Sequence, residues 1–235
     1  MIFIGDGDYQ KIGDEFLGYF KEFGELKSNH KVLDVGCGIG RMSVPLTEYL
    51  SNEGEYYGFD IVEMGINWCK KNITNIYPNF NYEHSDIYNK MYNPKGVEKS
   101  SDYKFNYNDN FFDFVFLTSV FTHMHTQDIN RYLEEISRVM KTRCRCLITF
   151  FLMNAESIAL IKNKESTQNL IYKIDNNSFA KDKNIPESAI GFNEDYIKEL
   201  LNKNGLNLIQ PIHYGSWCGR NSFVSYQDII VAEKK

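Results

Sequence analysis

Long apolar runs are missing from this 235-residue chain, and no stretch approaches the roughly 20 residues that a membrane helix needs. Met1-Ile2-Phe3-Ile4 lacks both the basic leader and the apolar length of a signal peptide, so nothing here predicts a membrane partner. Basic excess is missing too. Lys and Arg number 26 against 31 Asp and Glu, a formal net charge of -5, and a nucleic acid would need clustered cations to neutralise its phosphates. Nucleic acid is therefore disfavoured as a partner. The five cysteines, Cys37, Cys69, Cys144, Cys146 and Cys218, are odd in number and frame no secreted scaffold, which predicts reduced thiols and a cytoplasmic location. Cys144-Arg145-Cys146 has no second Cys or His pair at zinc spacing, so no metal is expected. No Gly-x-Ser-x-Gly nucleophile elbow and no internal repeat is present.

What is there suits a globular α/β chain: 43% hydrophobic residues, 15% aromatics and a length that fits one domain over 1–235. Strand-like and helix-like periods alternate, the signature of successive βα units on a parallel sheet. The spacing predicts strands at 31–35, 55–59, 81–84, 112–118, 146–152, 207–212 and 228–232. Helices are predicted at 41–49, 62–76, 128–140 and 193–204, the third carrying an apolar stripe of Ile129, Leu133, Ile136 and Met140 under a cap from Thr126 and Asp128. Asn193 and Gly205 are expected to bracket the fourth. Residues 1–30 are expected to form an N-terminal lid or helix, 31–152 the binding core, 153–191 an insertion on the acceptor side and 192–235 a closing helix and strands. Residues 88–110 read as a long polar loop, a kind of segment that often borders function.

The most informative stretch is Val32-Leu33-Asp34-Val35-Gly36-Cys37-Gly38-Ile39-Gly40, an apolar strand running into glycines at every second position. A dinucleotide fingerprint needs its third glycine one place later, where this chain has Arg41. Alternating glycines without a lysine let backbone amides approach a ligand at a helix N-terminus, which suits a carboxylate as well as a phosphate. Asp34 ends its strand where ligands of open parallel sheets bind, and its charge suits an ammonium. Asp60, ending the second strand, suits a ribose diol. Asp86 with Ile87, after the third, could place a carboxylate at an adenine amino group and a backbone amide at a ring nitrogen.

These residues resemble class I S-adenosylmethionine-dependent methyltransferases, through nearly the whole chain. Asp34-Val-Gly36-Cys-Gly38-Ile-Gly40 looks like the first family motif, Gly58-Phe-Asp60 the ribose position, Ser85-Asp86-Ile87 the adenine position and Leu117-Thr-Ser-Val-Phe-Thr-His123 the fourth motif. The resemblance implies a three-layer, doubly wound sheet of seven strands, mostly parallel with the last antiparallel. It also implies S-adenosylmethionine as donor, S-adenosylhomocysteine as product and no metal. The implied cofactor residues are Tyr9, Gly13, Asp34, Gly36, Cys37, Gly38, Gly40, Arg41, Asp60, Ile61, Asp86, Ile87, Thr118 and Ser119. Where many relatives turn through Pro-Gly-Gly, this chain has Lys141-Thr142-Arg143-Cys144, which leaves that turn open.

For the chemistry, His123 is the first candidate general base, with His125 and His213 behind it. His123, Tyr214, Trp217 and Arg220 are candidate acceptor contacts, Trp217 as a flat stacking surface. His84, inside a strand, reads as structural. The expected reaction is O-methylation of a small polar acceptor such as a sugar, sugar nucleotide or glycan precursor, in polysaccharide or secondary-metabolite biosynthesis. N-methylation of a small molecule, a nicotinamide-dependent oxidoreductase and a non-catalytic nucleoside-binding protein are the rivals. The sequence specifies neither oligomeric state nor pathway.

Overall fold

The computed structural model describes residues 7–235, so the Met1–Ile4 opening lies outside the described residues. Seven strands form the main sheet: β1 (Lys31–Val35), β2 (Glu55–Asp60), β3 (Phe80–His84), β4 (Phe112–Leu117), β5 (Met140–Phe150), β10 (Leu206–His213) and β11 (Asp228–Lys234). Their order is β10-β11-β5-β4-β1-β2-β3. All neighbouring pairs are parallel except those made by β11, which runs antiparallel to β10 and to β5. Helices α1 (Tyr9–Glu22), α2 (Ser43–Tyr49) and α3 (Glu63–Cys69) cover one face; α4 (Thr126–Val139) and α6 (Glu194–Lys203) cover the other. This is the three-layer, doubly wound architecture.

Burial on both faces explains the strand compositions. Phe112, Phe114, Val115, Phe116 and Leu117 of β4 are all fully buried, because a central parallel strand meets a helix layer on each side. Phe20 of α1 packs on Phe116 and Phe114 at ring-centroid separations of 4.3 and 5.4 Å. On the opposite face Ile129, Leu133 and Ile136 of α4 are fully buried at helical spacing. Met140 does not continue that stripe. Its extended backbone (ψ 144°) ends the helix and opens β5, where it pairs with Phe112. The first helical residue is Thr126 rather than the cap: His125 precedes the helix with extended backbone, and the Thr126 hydroxyl is spent on Asp175. Asn193 does cap α6, accepting from the Tyr196 amide, and Gly205 follows at φ 73°.

Two regions are more ordered than their composition suggests. The inserted segment builds a second sheet, β6 (Leu152–Met153), β7 (Tyr172–Lys173), β8 (Ser178–Ala180) and β9 (Ile190–Asn193), in the order β6-β9-β8-β7, with α5 (Ala155–Lys162) after β6. The stretch between β3 and β4 folds back on the main sheet. Tyr88 donates to the Glu98 carbonyl, while Val97 and Glu98 donate to the Asp86 carbonyl. Further on, Phe105 is buried and its amide donates to the buried Glu135 carboxylate at 2.8 Å. Among the described residues no helix is long and apolar enough to cross a membrane.

Candidate active site

The strand order reverses between β1 and β4, so the site forms at their carboxyl ends, the crevice where open α/β sheets bind ligands. Gly36, Gly38 and Gly40 follow β1 with φ of +82, +56 and +78°, the left-handed region that favours glycine. Their surroundings separate them. A Cβ on Gly36 would lie 2.4 Å from Val120, and one on Gly40 2.8 Å from Ser43, whereas one on Gly38 would meet nothing within 4 Å. Gly36 and Gly40 let the turn pack; Gly38 borders open space. The Cys37 side chain is buried beneath the turn, leaving its backbone at the site.

Asp34 is only 1% exposed. Its Oδ2 accepts from the Tyr56 hydroxyl at 2.7 Å, and its Oδ1 is buried with no hydrogen-bond partner. Burial pushes this carboxyl up to about 8, opposed by the Tyr56 hydroxyl and assisted by the charge of Asp60. Asp60 closes the turn itself: Oδ2 accepts from the Gly38 amide at 2.8 Å and Oδ1 from the Val62 amide at 2.7 Å. Burial raises its pKa, opposed by the amides of Val62, Gly38 and Ile61. His84 donates from Nε2 to the Ile61 carbonyl, 3.3 Å away, just beyond the end of β2.

The third strand end differs from expectation. The Ile87 amide turns inward to the Ser85 carbonyl at 2.8 Å, and the Asp86 Oδ1 accepts from Asn93 at 3.2 Å, so that amide is not presented to a ligand. At the end of β4, Thr118 is half-buried. Ser119 stands at φ +60°, a conformation a non-glycine residue holds only when its surroundings enforce it. Here its amide donates to Thr149 at 2.8 Å and its hydroxyl accepts from Gln227 at 3.0 Å.

At the mouth, the Nδ1 of His123 lies 2.7 Å from the Glu187 carbonyl. A carbonyl can only accept, so Nδ1 carries the hydrogen and Nε2 keeps its lone pair. Burial lowers the imidazole pKa, with the Glu187 carbonyl opposing. Tyr92, absent from the sequence-based candidates, stands edge-on to His123 with ring centroids 5.3 Å apart and has its phenol pushed up to about 12 by burial and by Asp60. It therefore stands near both the ribose-side carboxylate and the histidine. An aromatic in a polar loop offered no periodicity by which to place it.

Other candidates lie elsewhere. Tyr9 reaches the turn, its hydroxyl donating to the Ile39 carbonyl at 2.9 Å, with the Arg41 guanidinium over its ring. Gly13 instead permits helix packing: a Cβ there would lie 2.6 Å from the Arg41 carbonyl. Trp217 is fully buried, its indole donating to the Asp228 carboxylate at 2.7 Å, so it offers no stacking face. Arg220 is equally committed, to Asp228 at 3.0 Å and Glu156 at 2.8 Å. Tyr214 lies against Arg220 and donates to Glu194 at 3.0 Å. His213 stacks on Phe23 at 3.8 Å, beyond the end of α1 opposite Tyr9. Fourteen residues at about 1.5 Å per residue put roughly 20 Å between those ends. His125 faces the Glu187 carboxylate at 3.4 Å. Among the described residues no group of three His, Cys, Asp or Glu side chains could hold a metal ion.

The family profile of the methyltransferase domain matches residues 26–205, which takes in the glycine turn, all three acidic strand ends and His123. The chain belongs to this family. It is a class I, S-adenosylmethionine-dependent methyltransferase. Solved structures share the fold at low identity. One is a Pyrococcus horikoshii protein with a TM-score of 0.64 and 19% identity, covering 98% of this chain and 93% of that one. Another is magnesium protoporphyrin IX methyltransferase of Synechocystis with bound S-adenosylhomocysteine, with a TM-score of 0.59, 16% identity and coverages of 98% and 90%. A curated relative, a probable cobalt-precorrin-6B C(15)-methyltransferase of Saccharolobus solfataricus, is 40% identical over 47 residues. That match spans 20% of this chain and 24% of the relative.

The residues present fit the donor of this methyltransferase. The unpartnered Asp34 Oδ1 suits its ammonium, and the open space beside Gly38 admits it against the backbone.

Proposed function

We propose that this methyltransferase methylates a hydroxyl of a small polar acceptor, a sugar, sugar nucleotide or glycan precursor, with His123 as the proton acceptor. The observation that carries the reading is the 2.7 Å contact of His123 Nδ1 with the Glu187 carbonyl, which leaves Nε2 as a base. When bound, S-adenosylmethionine supplies a methyl group on an already charged leaving group. Asp34 would hold its ammonium, the turn around Gly38 its carboxylate, and Asp60 its ribose. What remains for the chain is to align the acceptor oxygen, exclude water and take up the proton at Nε2. Asn89, Tyr92 and the 184–188 segment surround His123 with hydrogen-bonding groups and one aromatic face, a combination that suits a polyol. Membership of a cytoplasmic biosynthetic route belongs to the same proposal.

His123→Ala is expected to lower kcat by roughly 10²–10⁴-fold, the usual contribution of a general base, with little change in donor affinity. In the parent protein kcat should rise with pH through a value below the ordinary 6.5 of histidine, as the imidazole loses its proton, and then level off. The variant should lose that acidic limb. A variant that keeps its kcat, or shows only a lower melting temperature, would remove His123 from the chemistry.

A further inference from the structure

Beside His123, the first residues of α4 and the inserted sheet enclose a concavity of about 410 Å³ lined by His125, Thr126, Gln127 and Asp175. Glu187 joins it to the proposed base. Its backbone carbonyl holds His123, and its carboxylate Oε1 lies 3.4 Å from His125, a residue of the concavity wall. Glu187 is only 9% exposed, yet its Oε2 is buried with no hydrogen-bond partner, and the neighbouring Ser188 hydroxyl is buried and unpartnered as well. Such acceptors are costly to leave unfilled.

We infer that this seam is a recognition subsite for a protonated amine carried by the methyl acceptor, close to the hydroxyl that is methylated. The inference rests on the methyl-transfer reading only in placing an acceptor at His123.

Charge supports an amine over an anion. Asp128, Asp175 and Glu187 converge here, and among the described residues none of them pairs with a lysine or arginine. Asp175 stays ionised, because the Thr126 hydroxyl and the Asn177 amide outweigh the effect of its burial. The N-terminus of α4 opposes a cation with only about half a positive charge, against three carboxylates. An ammonium carries three donors and no acceptor, which matches an unfilled carboxylate oxygen. An acceptor phosphate would meet repulsion instead.

The test is binding to the S-adenosylhomocysteine-saturated protein at neutral pH, followed by nuclear magnetic resonance titration. The probes are glucosamine, N-acetylglucosamine and glucose, with ethanolamine against ethylene glycol as a sugar-free pair. Each ammonium probe should bind roughly tenfold more tightly than its neutral counterparts, the scale of one charge-assisted hydrogen bond. Glu187→Gln should abolish that preference and Asp175→Asn should reduce it, both leaving S-adenosylhomocysteine affinity unchanged. Asp175 is more exposed, so its variant remains informative if loss of the buried Glu187 charge impairs folding. Equal affinities, no binding of any probe, or a preference that survives both substitutions would overturn the subsite. Methyl transfer to glucose without any ammonium preference would sink the subsite and keep the hydroxyl reading. An ammonium preference without transfer to any hydroxyl would do the reverse.

Discussion

Asp34 shows how one side chain ties ligand binding to protons. Its carboxyl sits under the glycine turn with a single donor, the Tyr56 hydroxyl, and burial pushes it up to about 8. At pH 7 the empty site therefore holds the neutral acid, whereas the donor's ammonium pairs best with the carboxylate. Binding must then expel close to one proton. S-adenosylhomocysteine affinity should rise with pH, approaching about tenfold per unit below 8 and flattening above it. Calorimetry in buffers of different ionisation heat would measure the released proton directly, and Asp34→Asn should abolish both the release and the slope. The sign for stability runs the other way. A folded-state value above the ordinary 3.8 means the native chain holds this proton more tightly than the unfolded chain. The empty protein should lose stability as pH rises from about 4 to 8, and Asp34 contributes no further change above that. A pH-independent dissociation constant between 6 and 8 would show that the carboxyl is already ionised.

The turn after α4 carries the second test, at the level of an element. Arg143 adopts φ +63°, the region that favours glycine, on an exposed position within β5, and the pairing of β4 with β5 shifts register between Phe112 and Phe114. Holding an L-residue there costs roughly 1–2 kcal/mol. Arg143→Gly should accordingly stabilise the protein by about 1 kcal/mol, raising Tm by about 2–4 °C without touching kcat. An unchanged or lower Tm would mean the arginine side chain contributes as much as the backbone loses. The same contrast explains what was legible in the sequence. The glycine turn and the acidic strand ends are local chemistry, since alternating glycines after an apolar strand admit few backbone paths. The two strand-like runs that close the sheet were readable from their apolar periods. Tyr92 and the 184–188 segment were not, because they meet His123 only through the fold. The inward turn at 103–107 left a trace, Tyr103, Phe105 and Tyr107 at alternate positions, which the polar residues around it masked. Trp217 could not be placed without Asp228. An indole and a carboxylate eleven residues apart become partners only when β11 closes the sheet.

On the scale of the whole molecule, Asp228 is where the two sheets and the closing loop are joined. It opens β11, next to the edge strand β10 in the main sheet, and is fully buried opposite Phe150. Its Oδ2 accepts from the Leu152 amide, the first residue of the second sheet, and from the Trp217 indole, both at 2.7 Å. Its Oδ1 accepts from the Gly215 amide at 2.8 Å and from Arg220 at 3.0 Å. Four donors from two segments, the start of β6 and the 215–220 loop, thus converge on one carboxylate, and Trp217 packs on Phe151 at 5.1 Å between ring centroids. A residue so placed acts on stability, whereas a substrate-stacking residue would act on the acceptor. Trp217→Phe removes one charge-assisted hydrogen bond and part of a buried side chain, a loss of about 2–3 kcal/mol. For a chain of this size that corresponds to a fall in Tm of about 5–10 °C. S-adenosylhomocysteine affinity and acceptor KM, measured well below the melting range, should stay within about twofold of the parent, because Trp217 packs in the cluster of Phe151, Met153 and Ile161, separate from the one that holds Cys37 of the glycine turn. The reverse result, an unchanged Tm with a much higher acceptor KM, would return Trp217 to the acceptor surface and require the 214–227 loop to open in the working enzyme.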